Sequence, residues 1–188
     1  MPVSPTTFRR FLASTRGVAA IEFAMIMPVL ATLFLASFDG GRAIAMYMKV
    51  RSATYTLAAI TNQYSTIQST DMTSITGATA AVMAPYSSAP AIVTISQIAV
   101  SSKGVTTVSW SYSQGGTALA QGSTFTLPTT LKVDSTYVIY AQVSYTFTPL
   151  FGYFSLGNIT FSDNLYVTPR VSNCINYPPQ SVSGCVTG

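Results

Sequence analysis

Residues 18–38 read VAAIEFAMIMPVLATLFLASF, running from Val18 to Phe38 with one charged residue, Glu22. As a helix rising 1.5 Å per residue, this stretch is about 30 Å long, the hydrocarbon thickness of a bilayer. A cleaved secretory signal has a shorter apolar core and a small-residue site just behind it. Here the only Ala-x-Ala, Ala43-Ile44-Ala45, lies beyond Asp39 and Arg42. The stretch therefore reads as a membrane-spanning helix. Arg9, Arg10 and Arg16 precede it without an intervening acid, so the positive-inside rule keeps the leader cytoplasmic and sends the bulk of the chain across. Arg42, Lys49 and Arg51 on the far side weaken that asymmetry, and Asp39 offsets them in part.

The rest of the composition narrows the function. Of 188 residues only 7% are charged, with nine basic residues, five acidic ones and no histidine. A catalytic triad that uses histidine, or a histidine-ligated metal, is excluded within this sequence. The basic residues are scattered rather than clustered, which argues against nucleic acid as a partner. Asp39 and Glu22 fall at the membrane and Asp71 at a helix start, leaving Asp134 and Asp163 in the later half. Two such carboxylates, without a motif around them, make no recognisable active site, and neither Lys103 nor Lys132 sits in a serine–lysine motif. The expectation is a non-enzymatic protein with no cofactor and no metal. Cys174 and Cys185, close together near the C-terminus, suggest one disulfide and an oxidising compartment.

Two residues within the apolar stretch depart from a plain anchor. A carboxylate in lipid is expensive and usually functional, so Glu22 is read as waiting for a positive partner, in preference to lying near enough to the cytoplasmic interface to be wetted. Pro28 lacks an N–H and is expected to kink or loosen the helix between Ala24 and Pro28.

Arg16-Gly17-Val18-Ala19-Ala20-Ile21-Glu22-Phe23-Ala24, followed by Pro28, resembles the N-terminus of TadE-like proteins. These are minor pilins or pseudopilins of the tight-adherence (Flp) branch of type IV pilus systems. Gly41-Arg42, residues 145–152 (YTFTPLFG) and residues 162–166 (SDNLY) add to the resemblance. In this family a prepilin peptidase cuts after a glycine, and glutamate stands fifth in the mature chain. Cleavage between Gly17 and Val18 puts Glu22 in that place. The resemblance implies a role in pilus assembly or as a filament subunit for surface attachment. Its implied partners are the prepilin peptidase, other pilins of the system, the inner-membrane assembly platform and membrane lipid. The implied location is the bacterial inner membrane, with the N-terminus cytoplasmic and the C-terminal domain periplasmic. A permanently anchored binding module or adhesin is the alternative.

Beyond the span, Met46, Val50, Ala53, Leu57, Ile60, Tyr64 and Ile67 recur at three- and four-residue steps, the stripe of a helix that buries one face. The helix is expected to continue to about Ile67, with Gly40-Gly41 as a possible bend. Ser69-Thr70-Asp71 then caps a short second helix, Met72 to Ala84, that stops before Pro85. From Ala91 the period becomes two. Strands are expected at Ala91–Val100, around Thr106–Tyr112, at Tyr137–Phe147 and around Ile159–Val167, the first two joined by a Ser102-Lys103-Gly104 hairpin. Thr106, Val108, Trp110 and Tyr112 share one face in this reading. The fold class is α+β: a long N-terminal hydrophobic helix, a short second helix and a C-terminal antiparallel sheet whose single apolar face the helix stripe covers. The organisation is a leader at 1–17, a transmembrane helix at 18–38, helical continuation at 39–88 and a β-rich domain at 89–188. Residues 149–154, with three aromatics, form either an exposed contact loop or a satellite of the core.

Overall fold

The structure, a computed structural model, describes residues 16–150, 157–180 and Cys185. Residues 1–15, most of the expected leader at 1–17, and most of the aromatic segment at 149–154 lie outside the described residues. Two helices and four strands follow in order: α1 Arg16–Thr61, α2 Ser69–Met83, β1 Ala91–Val100, β2 Thr106–Gln114, β3 Thr136–Phe147 and β4 Ile159–Val167. The strands form one antiparallel sheet in the order β2-β1-β3-β4. The architecture is α+β, as the change of period from 3.6 to 2 implies. By contacts the chain divides between Arg42 and Ala43 into two compact units, each considered by itself.

In the second unit the helix stripe is core. Met46, Val50, Ala53 and Leu57 are buried in one cluster with Met72 and Ile75 of α2 and with Val93, Ile95, Trp110, Ile139, Ala141 and Val143 of the sheet. α1 ends at Thr61, earlier than the stripe suggests. Past Asn62, residues 65–67 are extended and pair with the C-terminal segment. The Ile67 N–H donates to the Asn176 carbonyl at 2.9 Å, and the Asn176 N–H donates to the Ser65 carbonyl at 2.9 Å. Ile67 and Tyr64 still reach the core from this non-helical backbone. A tertiary pairing has displaced the last helical turns. α2 also begins earlier than expected, at Ser69, because Asp71 stands in its first turn and accepts the Gln68 backbone N–H at 2.9 Å.

Two features of the sheet depart from the simple alternation. The first is a shift of register between Gln97 and Ile98, where Gln97 faces Trp110 but Ile98 faces Val108, leaving Ser109 as an extra residue. A bulge of this kind reverses the side-chain alternation. Trp110 therefore packs with the helices while Val108 joins a separate cluster with Ile98 and Tyr140. The single face read for Thr106, Val108, Trp110 and Tyr112 is thus split in two.

The second departure follows from the first. The sheet has an apolar area on its far side, and the 115–135 connection covers it. Leu119 and Phe125 pack on Ile98, Val108 and Tyr140, and Leu127 is buried with Val100 and Val138. The same connection runs along the open edge of β2, with the Val108 N–H donating to the Ser123 carbonyl (2.9 Å) and the Phe125 N–H to the Thr106 carbonyl (3.1 Å). Further along that edge the Gln180 side chain takes both polar groups of Ser111, accepting from its N–H at 2.9 Å and donating to its carbonyl at 3.0 Å. An edge whose backbone groups are already bonded does not recruit a stray strand.

The tyrosines on this far side respond to burial. Desolvation pushes the Tyr140 phenol above its ordinary value, the adjacent Tyr166 adds to the rise, and a hydrogen bond with Asn164 offsets part of it. Burial raises Tyr166 as well. The unfolded chain ionises near the ordinary value and so loses protons that the folded sheet keeps. Stability is therefore intact below about pH 10 and falls as pH rises through the higher folded values. Tyr140→Phe is expected to flatten that alkaline decline in urea unfolding followed from about pH 9 to about pH 11. An unchanged slope would assign the decline to other groups.

Candidate assembly and processing site

The site residues named from the sequence fall in two places. Gly17, Val18, Glu22 and Pro28 are all in the first half of α1, and Cys174 and Cys185 are at the C-terminal end. The Gly17–Val18 peptide lies within α1, which is helical from the first described residue, Arg16. A cut there would release an amino group at the new end of the same helix. Glu22 follows Val18 by four residues, one turn and about 6 Å along the axis.

The surroundings of Glu22 are apolar and open. Ile21, Phe23, Met25 and Ile26 are all more than half exposed, as are Leu33 and Phe34 further on. A soluble helix would bury one stripe of these side chains, but here they point outward all round, which is the pattern of a helix that meets lipid or other apolar helices. The helix carrying them is long and apolar enough to cross a membrane. Glu22 makes no ion pair with any described residue. A carboxylate on such a surface has a strong electrostatic preference for a cation once water is removed.

Pro28 lies inside α1, which remains helical on both sides of it. Its missing N–H removes the donor that the Ala24 carbonyl would meet in a regular helix. One turn later the Thr32 hydroxyl donates to the Pro28 carbonyl at 2.6 Å. Gly40 and Gly41 also lie within the continuous helix. Asp39 and Arg42, one turn apart, form an ion pair at 3.7 Å.

At the other end Cys174 is bonded to Cys185, with Cα atoms 5.6 Å apart. Closing so short a loop contributes about 3 kcal/mol by chain-entropy estimates. The bond pins the C-terminal tail. Ile175, next to Cys174, is fully buried, and its backbone is held from both sides. Gln97 Oε1 accepts the Ile175 N–H at 2.6 Å, and Trp110 Nε1 donates to the Ile175 carbonyl at 2.9 Å. Tyr177 packs its ring 5.3 Å from that of Trp110. A lone tryptophan and a glutamine in the middle of a strand were the available signals, but neither names its partner some 65 to 78 residues away.

The two carboxylates of the β region do not meet. Asp163 is on β4 opposite Val143, while Asp134 precedes β3, seven or more residues back along that strand and so roughly 20 Å or more away. Among the described residues, no three histidine, cysteine, aspartate or glutamate side chains come together.

These features define a class: an α+β protein whose sheet-bearing unit is preceded by an exposed apolar helix of membrane-spanning length. Within that class, the family described as TadE-like protein matches residues 17–59, which include Gly17, Val18, Glu22, Pro28 and most of α1. The match coincides with the strongest part of the resemblance, at Arg16 to Ala24, and leaves the sheet uncovered. Neither the curated proteins nor the solved structures hold a match to this chain.

Proposed function

We propose that this protein is a minor pilin or pseudopilin of a tight-adherence (Flp-type) pilus, processed between Gly17 and Val18 and acting, without catalysis, in pilus assembly or as a filament subunit for attachment. The observation that carries the reading is the register of Gly17, Val18 and Glu22 at the head of an exposed apolar helix, inside the TadE-like match. Before processing, α1 holds the protein in the inner membrane with the leader in the cytoplasm and the sheet outside, where the Cys174–Cys185 bond forms and persists. Its partners in this reading are a prepilin peptidase, other pilins of the system and the assembly platform. Lipid surrounds α1 until the subunit is extracted.

Processing tests this directly. Removal of residues 1–17 deletes Arg9, Arg10 and Arg16, taking the formal side-chain charge from +4 to +1. It adds an α-amino group on Val18 that is mostly cationic at neutral pH. Mass spectrometry of membrane-extracted protein is expected to find Val18 as the first residue. Gly17→Leu should retain the leader, since the added bulk stands at the scissile position. A protein that keeps residues 1–17 in the wild type would instead be a permanent anchor, and a Gly17→Leu protein still running at mature size would sink the cleavage assignment.

A further inference from the structure

A cavity of about 430 Å³ opens at the end of the sheet where β1 turns into β2 and the 115–135 connection enters β3. That is within the usual range for a small-molecule site, about 300–1,000 Å³. Its floor is Ala99 with Thr107 and Tyr137, which sit beside it on the neighbouring strands. Ser101 and Ser102 form one wall, Ser135 another, and Asn173 with Cys174 a third. The disulfide to Cys185 fastens that third wall to the chain end.

The lining chemistry is distinctive in two ways. Among the described residues no charged side chain lines it, so neither an anion nor a cation finds a counter-charge on them. Hydroxyls, a phenol and a carboxamide share the lining with Ala99, Val100 and Cys174, and the side chains of Ser102, Thr107, Ser135, Tyr137 and Asn173 hydrogen-bond to no described residue. Their donors and acceptors are open to solvent and so available to a ligand. Ser135 also holds φ at 59°, in the left-handed region that side chains rarely adopt and that recurs at ligand sites.

Neutral donors that are also acceptors, arranged around one aromatic ring, match a molecule that carries many hydroxyls on an apolar carbon frame. We propose that this cavity binds a neutral saccharide, with the Tyr137 ring against the C–H face of one sugar residue and Asn173, Thr107 and the serines bonding its hydroxyls. A lipid tail would leave those polar groups unpaired, and an acidic sugar would be desolvated without a cation to meet it. The site lies wholly in the sheet-bearing unit, so the proposal stands apart from pilus assembly and from the role of Glu22.

Saturation-transfer NMR on the full-length protein in detergent, with maltotriose, cellotriose and triacetylchitotriose as separate probes at millimolar concentration, tests it. At least one of the three is expected to receive saturation. Tyr137→Ala is expected to weaken that binding about tenfold, the size of a lost ring contact. Asn173→Ala, at an exposed position whose side chain hydrogen-bonds to no described residue, should weaken it too while leaving the melting temperature unchanged. Tyr55→Ala, an exposed tyrosine of α1 away from the cavity, should bind as the wild type does. Failure of all three sugars to bind would overturn the proposal. So would binding that survives both Tyr137→Ala and Asn173→Ala, or a preference for galacturonate over the neutral sugars.

Discussion

Glu22→Gln is expected to leave export, cleavage after Gly17 and folding of the sheet intact while reducing incorporation into pili to background. In the proposed function, processing leaves an ammonium on Val18 at the head of α1, with the Glu22 carboxylate one turn along it. In an apolar environment each is unfavourable alone and favourable beside an opposite charge. A neighbouring subunit shifted along the helix axis can bring its own Val18 ammonium to this carboxylate. The pair strengthens as water leaves and is lost when the stagger slips, so it selects one axial register as well as adding affinity. Glutamine matches the shape and keeps hydrogen bonding but removes the charge, which separates electrostatics from packing. The rival arrangement pairs Val18 and Glu22 of one subunit, which neutralises both groups but specifies no neighbour. Pilus counts and lengths by electron microscopy, with subunit content by immunoblot, distinguish the two. Normal pili in Glu22→Gln cells, with the variant present in them, would show that the contact between subunits is not needed. The same variant should melt like the wild type, because Glu22 lies outside the unit that holds the sheet.

The second large effect concerns Trp110, a fully buried side chain where β2, β1 and the C-terminal segment meet. Its ring contributes to the main core cluster, and its Nε1 holds the Ile175 carbonyl. Trp110→Ala is expected to destabilise the sheet-bearing unit by about 3–5 kcal/mol, through the cavity left and the carbonyl orphaned. In a body of this size that lowers the melting temperature by about 10–15 °C. Trp110→Phe keeps most of the ring and removes only the donor, and is expected to lose about 1–3 kcal/mol. The ratio separates packing from the hydrogen bond, and equal losses in the two variants would mean that the Ile175 bond carries the effect alone. In both, the segment around Cys174 should become easier to reach, read as faster reduction of the Cys174–Cys185 bond by dithiothreitol in the folded state. Unchanged reduction with a large stability loss would place the tail's attachment elsewhere.

Much of this fold is legible locally because its signals are periodic. Seven apolar residues from Met46 to Ile67 step by three and four and all reach the core, the five on α1 because a helix can bury only one stripe. The four strands stand close to their expected bounds since alternation over eight or more residues has few other solutions. The same reasoning fails where one extra residue changes the count. Ser109 interrupts a run that alternates cleanly on paper, and the bulge at Gln97/Ile98 sends Val108 and Trp110 to opposite faces. No residue in β2 announces this, because a bulge is a property of the pair of strands. The helix end shows the same limit, since Ile67 completes the stripe yet leaves the helix to bond Asn176, a partner more than a hundred residues on.

The candidate assembly site needs almost no tertiary structure. Gly17, Val18, Glu22 and Pro28 lie within twelve residues on one helix, and their chemistry follows from order and spacing along a single axis. Membrane length, the leader's charge and the scarcity of ionisable groups are likewise properties of the chain alone, because they depend on composition and on the fixed rise of a helix. The cavity at the end of the sheet is the opposite case. Thr107, Ser135 with Tyr137, and Asn173 come from three separate stretches, unremarkable where each stands, and only strand order, register and the disulfide-held tail bring their hydroxyl, phenol and amide groups to one opening. The far-side cover of the sheet and the clamp on Ile175 were decided in the same way, by contacts between residues far apart in sequence, which no local period records.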